Sequence, residues 1–198
     1  WEDSILSQEQ ERIFSNQWLG LGRSDRLENP GEYEAFELCG QALVLIRNQD
    51  KELRLYANTC RHRGAKLLDG TGQCQAISCP FHGWTYSLDG NLKHAKTMAE
   101  NSSFDFADNS LIEYKLKELQ GFLFGFLGNT PTDLSNQLGN FSELHQPWSM
   151  NELVTTRRAT FEVQCNWKAF LDVFNEYYHL NNVHPTSIDS LYNKPEEA

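Results

Sequence analysis

Apolar and polar residues alternate through the middle of the chain in the pattern of short β-strands. Residues 42–46 and 53–56 are both strand-like and flank Asn48-Gln49-Asp50, which predicts a hairpin. Asp89-Gly90 is typical of a second hairpin turn. We therefore expect a small antiparallel β domain in this part of the chain. Its further strand candidates are Ile77, residues 84–86 and residues 121–126.

Helical spacing appears on both sides of this β-rich region. Ser7-x-x-Gln10 resembles a capping box, and the apolar positions that follow it predict an N-terminal helix. Residues 155–163 are strand-like, whereas the apolar spacing of residues 167–180 predicts a second helix. The chain therefore combines a β-rich centre with helical segments near both ends.

Composition narrows the class of protein. The 198 residues include 17 basic and 27 acidic side chains, and the formal net charge is −10, so we expect neither a nucleic-acid nor an anionic-membrane partner. The longest apolar run, residues 121–128, is far shorter than the ~20 residues of a membrane span. Five irregularly spaced cysteines and the lack of a visible secretory signal predict a cytoplasmic protein without disulfides. Because the chain opens at Trp1 without an initiator Met, we also expect a fragment.

Two cysteine–histidine pairs form the first candidate site. Cys60-x-His62 and Cys79-x-x-His82 are separated by sixteen residues, and each pair offers one thiolate and one imidazole. In a Rieske [2Fe–2S] centre two cysteines hold one iron and two histidines hold the other, so two such loops would supply the full ligand set. A structural zinc site could use the same residue types, but a zinc finger groups its cysteines and its histidines instead of alternating them. Two buried cysteines with two unrelated histidines would need both spacings by coincidence.

A second candidate site lies near the C-terminus. On a continuous helix Glu176 and His179 would share one face, because they are three residues apart. His184 is off that face, but Asn181-Asn182 and Pro185 predict a break that would let its imidazole turn back toward His179. Two histidines and open coordination positions are typical of the facial triad of non-haem Fe(II) oxygenases. Taken alone, two histidines and a glutamate near a proline more often have a structural role than a metal-binding one.

Both motifs resemble those of one family, the Rieske non-haem iron ring-hydroxylating oxygenases. Cys-Arg-His-Arg-Gly-Ala from Cys60 and Cys-Pro-Phe-His-Gly-Trp-Thr-Tyr from Cys79 are similar to the family's Rieske box. The Asn-Trp-Lys lead-in at Asn166, followed by acid-x-x-His-x4-His-Pro, is similar to its iron motif. The matches extend from Gln17 to Pro185, and Val173 replaces an Asn that is common in the motif.

This resemblance implies two cofactors and a role for each ligand-type residue. Cys60, His62, Cys79 and His82 would bind a [2Fe–2S] cluster, and His179 and His184 would bind a mononuclear Fe(II). Glu176 would take the place of the catalytic carboxylate that bridges the Rieske cluster of one subunit and the iron of its neighbour. The family's third iron ligand, an Asp, has no position in this chain.

The resemblance also implies an α+β fold with three parts. Residues 1–16 would form an N-terminal helix packed on the catalytic domain. Residues 17–127 would form a small antiparallel β Rieske domain. Residues 128–198 would begin a helix-grip α+β catalytic domain.

The implied function is that of the α, or oxygenase, subunit of a Rieske mono- or dioxygenase. Electrons from NAD(P)H would arrive through a separate flavin reductase, with or without a ferredoxin, for O₂-dependent hydroxylation or demethylation of a small organic substrate. Family members assemble as rings of three, so we expect a homotrimer. The alternatives are a Rieske ferredoxin-type electron carrier and a non-catalytic Rieske subunit. Glu at position 176 resembles the branch that acts on carnitine, choline or betaines, with aromatic acids as the main competing substrates.

Overall fold

The computed structural model describes residues 3–96, 98–176 and 178–184. The chain divides into two compact units, one up to Thr156 and the other from Arg157 onward. The first unit is built on antiparallel sheets, as the alternation predicts. The second contains two short helices. Within the described residues, no helix combines the length and the apolar character needed to cross a membrane.

Ten strands and five α-helices make up the described chain, together with one π-helical and several 3₁₀ segments. The strands are β1 Trp18–Arg23, β2 Glu32–Leu38, β3 Gln41–Arg47, β4 Leu53–Ala57, β5 Thr71–Gln73, β6 Ile77–Ser78, β7 Thr85–Tyr86, β8 Leu92–His94, β9 Glu113–Leu119 and β10 Phe122–Phe126. The α-helices are α1 Asp3–Glu9, α2 Leu134–Leu138, α3 Phe141–His145, α4 Trp167–Phe174 and α5 Leu180–Val183, and the π-helix is Gln10–Phe14. The 3₁₀ segments are Ser24–Arg26, Met98–Glu100, Ala107–Asn109, Gln146–Trp148 and Met150–Glu152.

The strands form two antiparallel sheets. The larger has seven strands in the order β1-β10-β9-β4-β3-β2-β5, and the smaller has three in the order β6-β7-β8. The predicted hairpin is confirmed, because β3 and β4 pair in register from Leu43 with Ala57 to Arg47 with Leu53. The turn at Asp89-Gly90 is confirmed as well, since it connects β7 to β8.

Strand β3 is buried on both faces, and the larger sheet is built around it. Val44 and Ile46 belong to one apolar cluster, which also contains both candidate cysteine ligands, whereas Leu43 and Leu45 belong to a second cluster behind the sheet. Each of these four side chains is at most 1% exposed. A strand covered on both sides reads as a continuous apolar run, which explains the sequence of residues 42–46.

Two expectations about the chain ends are wrong. Helix α1 begins at Asp3, so Ser7 lies inside it and cannot be its N-cap. Residues 155–163 form no strand, because no described segment pairs with them, and an unpaired strand has no ladder to stabilise it. The backbone N–H of Thr155 instead donates to the carboxylate of Asp25 over 2.6 Å.

The helix expected over residues 167–180 is interrupted. It runs as α4 only to Phe174, and a second short helix, α5, begins at Leu180. Its start follows the N-cap rule, since the side chain of Asn166 accepts a hydrogen bond from Lys168 N–H over 3.0 Å. Asn175 ends it by donating its N–H to the carbonyls of Leu171 and Asp172.

Asn58 connects the end of β4 to the loop that carries Cys60 and His62. Its side chain is 1% exposed. The amide Nδ2 donates to the carbonyl of Leu68 over 2.8 Å, and Oδ1 accepts from the N–H of Leu68 over 3.0 Å. This two-way bond fixes both ends of the loop relative to each other.

We expect Asn58→Ala to lower the free energy of unfolding by about 2 kcal/mol or more, because two polar groups of Leu68 lose their partner. Denaturant unfolding of the purified chain measures this. Asn91→Ala, at an exposed position, is the control and should change stability by at most about 0.5 kcal/mol. Equal losses in the two variants would show that the Asn58 bonds are not what stabilises the loop.

Candidate metal centres

The two cysteine–histidine pairs lie on two loops that close in the same way. In each loop the cysteine N–H donates to the carbonyl five residues later, and the cysteine carbonyl accepts from the glycine N–H four residues later. The two loops follow β4 and β6, which lie in different sheets. The distances are Cys60 N–Ala65 O 2.8 Å, Gly64 N–Cys60 O 2.9 Å, Cys79 N–Trp84 O 2.7 Å and Gly83 N–Cys79 O 3.0 Å.

A glycine in the left-handed region completes each closure. Gly64 and Gly83 both have a φ of +72°, a conformation that costs a side-chain-bearing residue strain but is free to glycine. Nothing lies within 4 Å of a Cβ placed at either position, so backbone conformation, not space, explains the residue type. The two pairs thus have equivalent backbones despite their different spacing.

The loops separate the thiols from the imidazoles. Cys60 and Cys79 are 3% and 4% exposed and belong to the apolar core. His62 and His82 are exposed, and their ring centroids are 4.7 Å apart. Sulfur therefore lies on the inner side of the candidate site and nitrogen on the outer side, which fits a cluster with one sulfur-ligated and one imidazole-ligated iron.

Among the described residues, no three His, Cys, Asp or Glu side chains converge to hold a single metal ion. Each iron of a Rieske cluster takes only two ligands from the protein, so the separate pairs of buried thiols and exposed imidazoles fit that cluster.

The hydroxyl of Tyr86 faces the candidate cluster site from within the core. Its oxygen is 3.3 Å from Cys60 Sγ and accepts the N–H of Arg61 over 3.1 Å. Either atom could donate when Cys60 is a free thiol, but the thiolate of a cluster ligand can only accept, so the Tyr86 hydroxyl would then donate to sulfur. Burial, and then the hydrogen bond to Cys60, raise the pKa of Tyr86, so the hydroxyl stays protonated. The sequence predicts Tyr86 only as a strand residue; its alternation with half-buried Thr85 is the available signal that it points inward.

At the second candidate site, Glu176 and His179 meet across a turn, not along a helix. One carboxylate oxygen of Glu176 hydrogen bonds His179 Nδ1, and the other accepts the N–H of His179 over 3.2 Å and that of Tyr178. The imidazole of His179, followed by these backbone donors, lowers the pKa of Glu176. The expectation of a shared face on one helix is therefore wrong, although the two side chains are in contact.

His184 lies close to His179, as the sequence predicted, although the chain breaks elsewhere. The two ring centroids are 5.6 Å apart. The break comes at Asn175 and Glu176 instead of Asn181-Asn182, and Pro185 lies outside the described residues. The one turn of α5 then returns His184 toward His179, with its N–H donating to Leu180 O over 2.9 Å.

This geometry has the form of a metal-ligating histidine with its supporting carboxylate. Histidine ligands commonly bond their second ring nitrogen to a carboxylate, which fixes the tautomer and the ring plane. With Nδ1 of His179 bonded to Glu176, Nε2 is the nitrogen left for a metal. The contact therefore suits Glu176 to orient a ligand better than to act as one.

Two family models match this chain. The Rieske [2Fe–2S] domain matches residues 17–115, and the catalytic domain of the ring-hydroxylating alpha subunit matches residues 150–197. The carnitine monooxygenase oxygenase subunit of Acinetobacter baumannii is 35% identical over 190 residues, which are 94% of this chain and 51% of that protein. The corresponding subunit of Escherichia coli K12 is 33% identical over 193 residues, 96% of this chain and 52% of that protein.

Solved structures show the same likeness. A crystal structure of the quaternary ammonium Rieske monooxygenase CntA with its substrate L-carnitine matches with a TM-score of 0.90 and 33% identity, over 98% of this chain and 56% of that one. Naphthalene 1,2-dioxygenase with indole bound matches with a TM-score of 0.83 and 25% identity, over 96% and 44%. The chain belongs to the Rieske oxygenases, as an alpha subunit with an antiparallel β Rieske domain followed by the start of the catalytic domain. Within that family it resembles the quaternary ammonium branch, and it spans about half the length of the relatives it matches.

Tyr86→Phe should lower the reduction potential of the iron-loaded protein. A hydrogen bond to a sulfur ligand stabilises the more negative reduced cluster, and a net value of about 0.5–1.5 kcal/mol corresponds to about 20–60 mV for one electron. Protein-film voltammetry gives the value. Tyr56→Phe is the matched control, because Tyr56 is also buried but bonds Leu88 O and not sulfur. If the two variants have equal reduction potentials, the Tyr86 hydroxyl does not stabilise the reduced cluster.

Proposed function

We propose that this chain carries the electron-transfer site and part of the iron site of a Rieske oxygenase that oxidises a quaternary ammonium compound. The cluster ligands are Cys60, His62, Cys79 and His82, and the mononuclear iron ligands are His179 and His184. Bound there, the [2Fe–2S] cluster supplies one-electron transfer and ferrous iron supplies O₂ activation. The observation that carries the proposal is the pair of equivalent loops, with thiols buried below and imidazoles exposed above.

The surroundings of the first site suit electron transfer. The apolar core around Cys60 and Cys79 keeps water from the sulfur side, and the Tyr86 hydroxyl adds a fixed donor to it. His62 and His82 are exposed, so an electron donor or acceptor can approach the imidazole side. A buried cluster would require a longer path for the electron.

The surroundings of the second site suit an iron whose histidine ligand is oriented by a neighbouring carboxylate. Glu176 fixes the ring of His179 through Nδ1, while its carboxylate is exposed on the other side. We assign Glu176 the bridging role. Its carboxylate would orient the iron ligand His179 and would contact the imidazole side of the Rieske site of a neighbouring subunit. That role requires a second subunit, so we propose a trimeric ring.

Partners and substrate follow from the same assignment. The reducing equivalents come from NAD(P)H through a flavin reductase, with or without a ferredoxin. The relatives at 33–35% identity are named as carnitine monooxygenase subunits, and a glycine betaine monooxygenase subunit of Chromohalobacter salexigens is 29% identical over 94% of this chain and 42% of that protein. We therefore propose demethylation or related oxidation of a quaternary ammonium compound over oxidation of an aromatic acid.

Iron content and the EPR spectrum test the two metal sites separately. We expect the 198-residue chain made alone to bind about two irons, to show a Rieske signal with average g below 2 after reduction, and to oxidise no substrate. Two neutral imidazoles leave the charge of Fe(II) uncompensated, so its affinity should be weak. Zinc without iron would exclude the cluster, and three irons with turnover would mean that the ligand set is already complete here.

Glu176→Ala tests the bridging role. In the protein extended to the length of its relatives and supplied with a reductase, the variant should keep the iron content and the Rieske signal but lose nearly all turnover. Asp172→Ala is the matched control, because Asp172 is an exposed acid of α4 one turn before Glu176. Loss of mononuclear iron would instead show that Glu176 is needed to hold the metal, either as a ligand or through His179, and full activity would make it a surface acid.

A further inference from the structure

We infer that Trp84 is a positioning residue for the iron–sulfur cluster, supported from behind by Phe104, and that it fixes the ring of His62 but not that of His82. The inference rests on the proposed function, because it takes His62 as a cluster ligand. It adds two aromatic residues that neither ligand motif requires for coordination, and it makes the two imidazoles unequal.

The contact between His62 and Trp84 is a parallel stack. The ring centroids are 4.9 Å apart and the planes differ by 9°. The two rings differ in burial, since Trp84 is 4% exposed and His62 is exposed. Rotation of the imidazole out of this plane would break the stack, so the buried indole restrains an otherwise solvent-exposed ring.

Trp84 is itself held on two sides. Its backbone carbonyl accepts the N–H of Cys79 over 2.7 Å, which ties it to the second ligand loop. The ring centroids of Trp84 and Phe104 are 5.6 Å apart, and the two planes are 79° from parallel. The centroids of Phe104 and Phe106 are 5.3 Å apart, with an interplanar angle of 84°. A continuous series of ring contacts thus runs from the exposed imidazole of His62 through buried Trp84 to Phe104 and Phe106, which are half-buried and pack against the apolar core.

The segment that carries Phe104 has its own stabilising bonds. Phe104 donates its N–H to the carbonyl of Asn101 over 3.0 Å, and the Asn101 side chain accepts the N–H of Ser103 over 3.0 Å. The carboxylate of Asp105 accepts the N–H of Ala107 over 2.8 Å. The position of Phe104 is therefore set by local turns, independently of the ligand loops.

His82 has a different environment. Its ring centroid is 4.1 Å from that of Phe81, which is 62% exposed, and the guanidinium of Arg63 lies 5.9 Å from the Phe81 ring on the surface. Among the ring contacts described for His82, the partners are Phe81 and His62, and neither is buried. Among the ring contacts of the described residues, His62 thus has a buried partner and His82 does not.

The experiment compares four variants of the iron-loaded protein labelled with ¹⁵N-histidine. Pulsed EPR of the reduced protein reports the nitrogen coupling of each ligating imidazole, and excess EDTA measures the half-life of the cluster absorbance. We expect Trp84→Leu and Phe104→Leu to change one coupling and leave the other, and to shorten the half-life about three- to tenfold. Trp84→Phe retains a ring against His62 and should restore most of the wild-type behaviour.

Phe106→Leu is the matched structural control. It removes a ring that packs against the same core cluster, and the ring contact described for Phe106 is with Phe104. Melting temperatures measured alongside show how much stability each substitution removes. If Trp84→Leu does not fold, Phe104→Leu decides, because it leaves the Trp84–His62 contact in place and removes only its support.

Three results would overturn the inference. The first is a Phe104→Leu spectrum identical to that of the wild type, and the second is an equal spectral change in Phe106→Leu, which would indicate general loosening of the core. The third is a wild-type protein without two nitrogen couplings, which removes the proposed function together with the inference. If the wild type shows both couplings but the variants do not change as expected, the inference is overturned and the proposed function is unaffected.

Discussion

The structure depends on the closure of two loops around a cysteine backbone. In each loop the cysteine both donates and accepts a main-chain hydrogen bond within five residues, and a glycine with φ of +72° makes the turn possible. This closure directs both thiols into the core and leaves the histidines at the surface. Since the loops come from different sheets, the β domain serves chiefly to hold two equivalent turns against each other. The hydrogen bonds of Asn58 and of the Tyr86 hydroxyl both hold the loop that carries Cys60 and His62.

The second site is held together by interactions between residues that are close in sequence. Its residues come from one short stretch, and the carboxylate of Glu176 organises them by accepting one imidazole and two backbone N–H groups. The helix ends at Phe174 because Asn175 and Glu176 satisfy their polar groups locally. Local capping thus brings the ring centroids of His179 and His184 to 5.6 Å from each other. A site of this kind can be recognised from a short motif, whereas the first needs two motifs.

Much of this could be predicted because the informative interactions are local. The apolar run of β3, the hairpin to β4 and the four cluster-type residues are all visible as patterns of neighbouring residues. The strand expected at residues 155–163 was wrong because pairing depends on a partner that a pattern does not reveal. The helix break at Phe174 was misplaced for a similar reason, since Pro185 was a stronger signal than the side-chain bonds of Glu176. Tyr86 and Phe104 act through contacts across 26 and 20 positions, with Cys60 and Trp84 respectively, and no periodicity encodes those.

We propose that one iron of the cluster is held by the two buried thiols and the other by the two exposed imidazoles. Mössbauer spectroscopy of the oxidised ⁵⁷Fe-loaded protein tests it most directly. Both irons are then ferric, so any difference between them arises from their ligands alone. We expect two unequal quadrupole doublets of equal area. A single doublet would show that the two irons have the same ligands, and would contradict the assignment of His62 and His82.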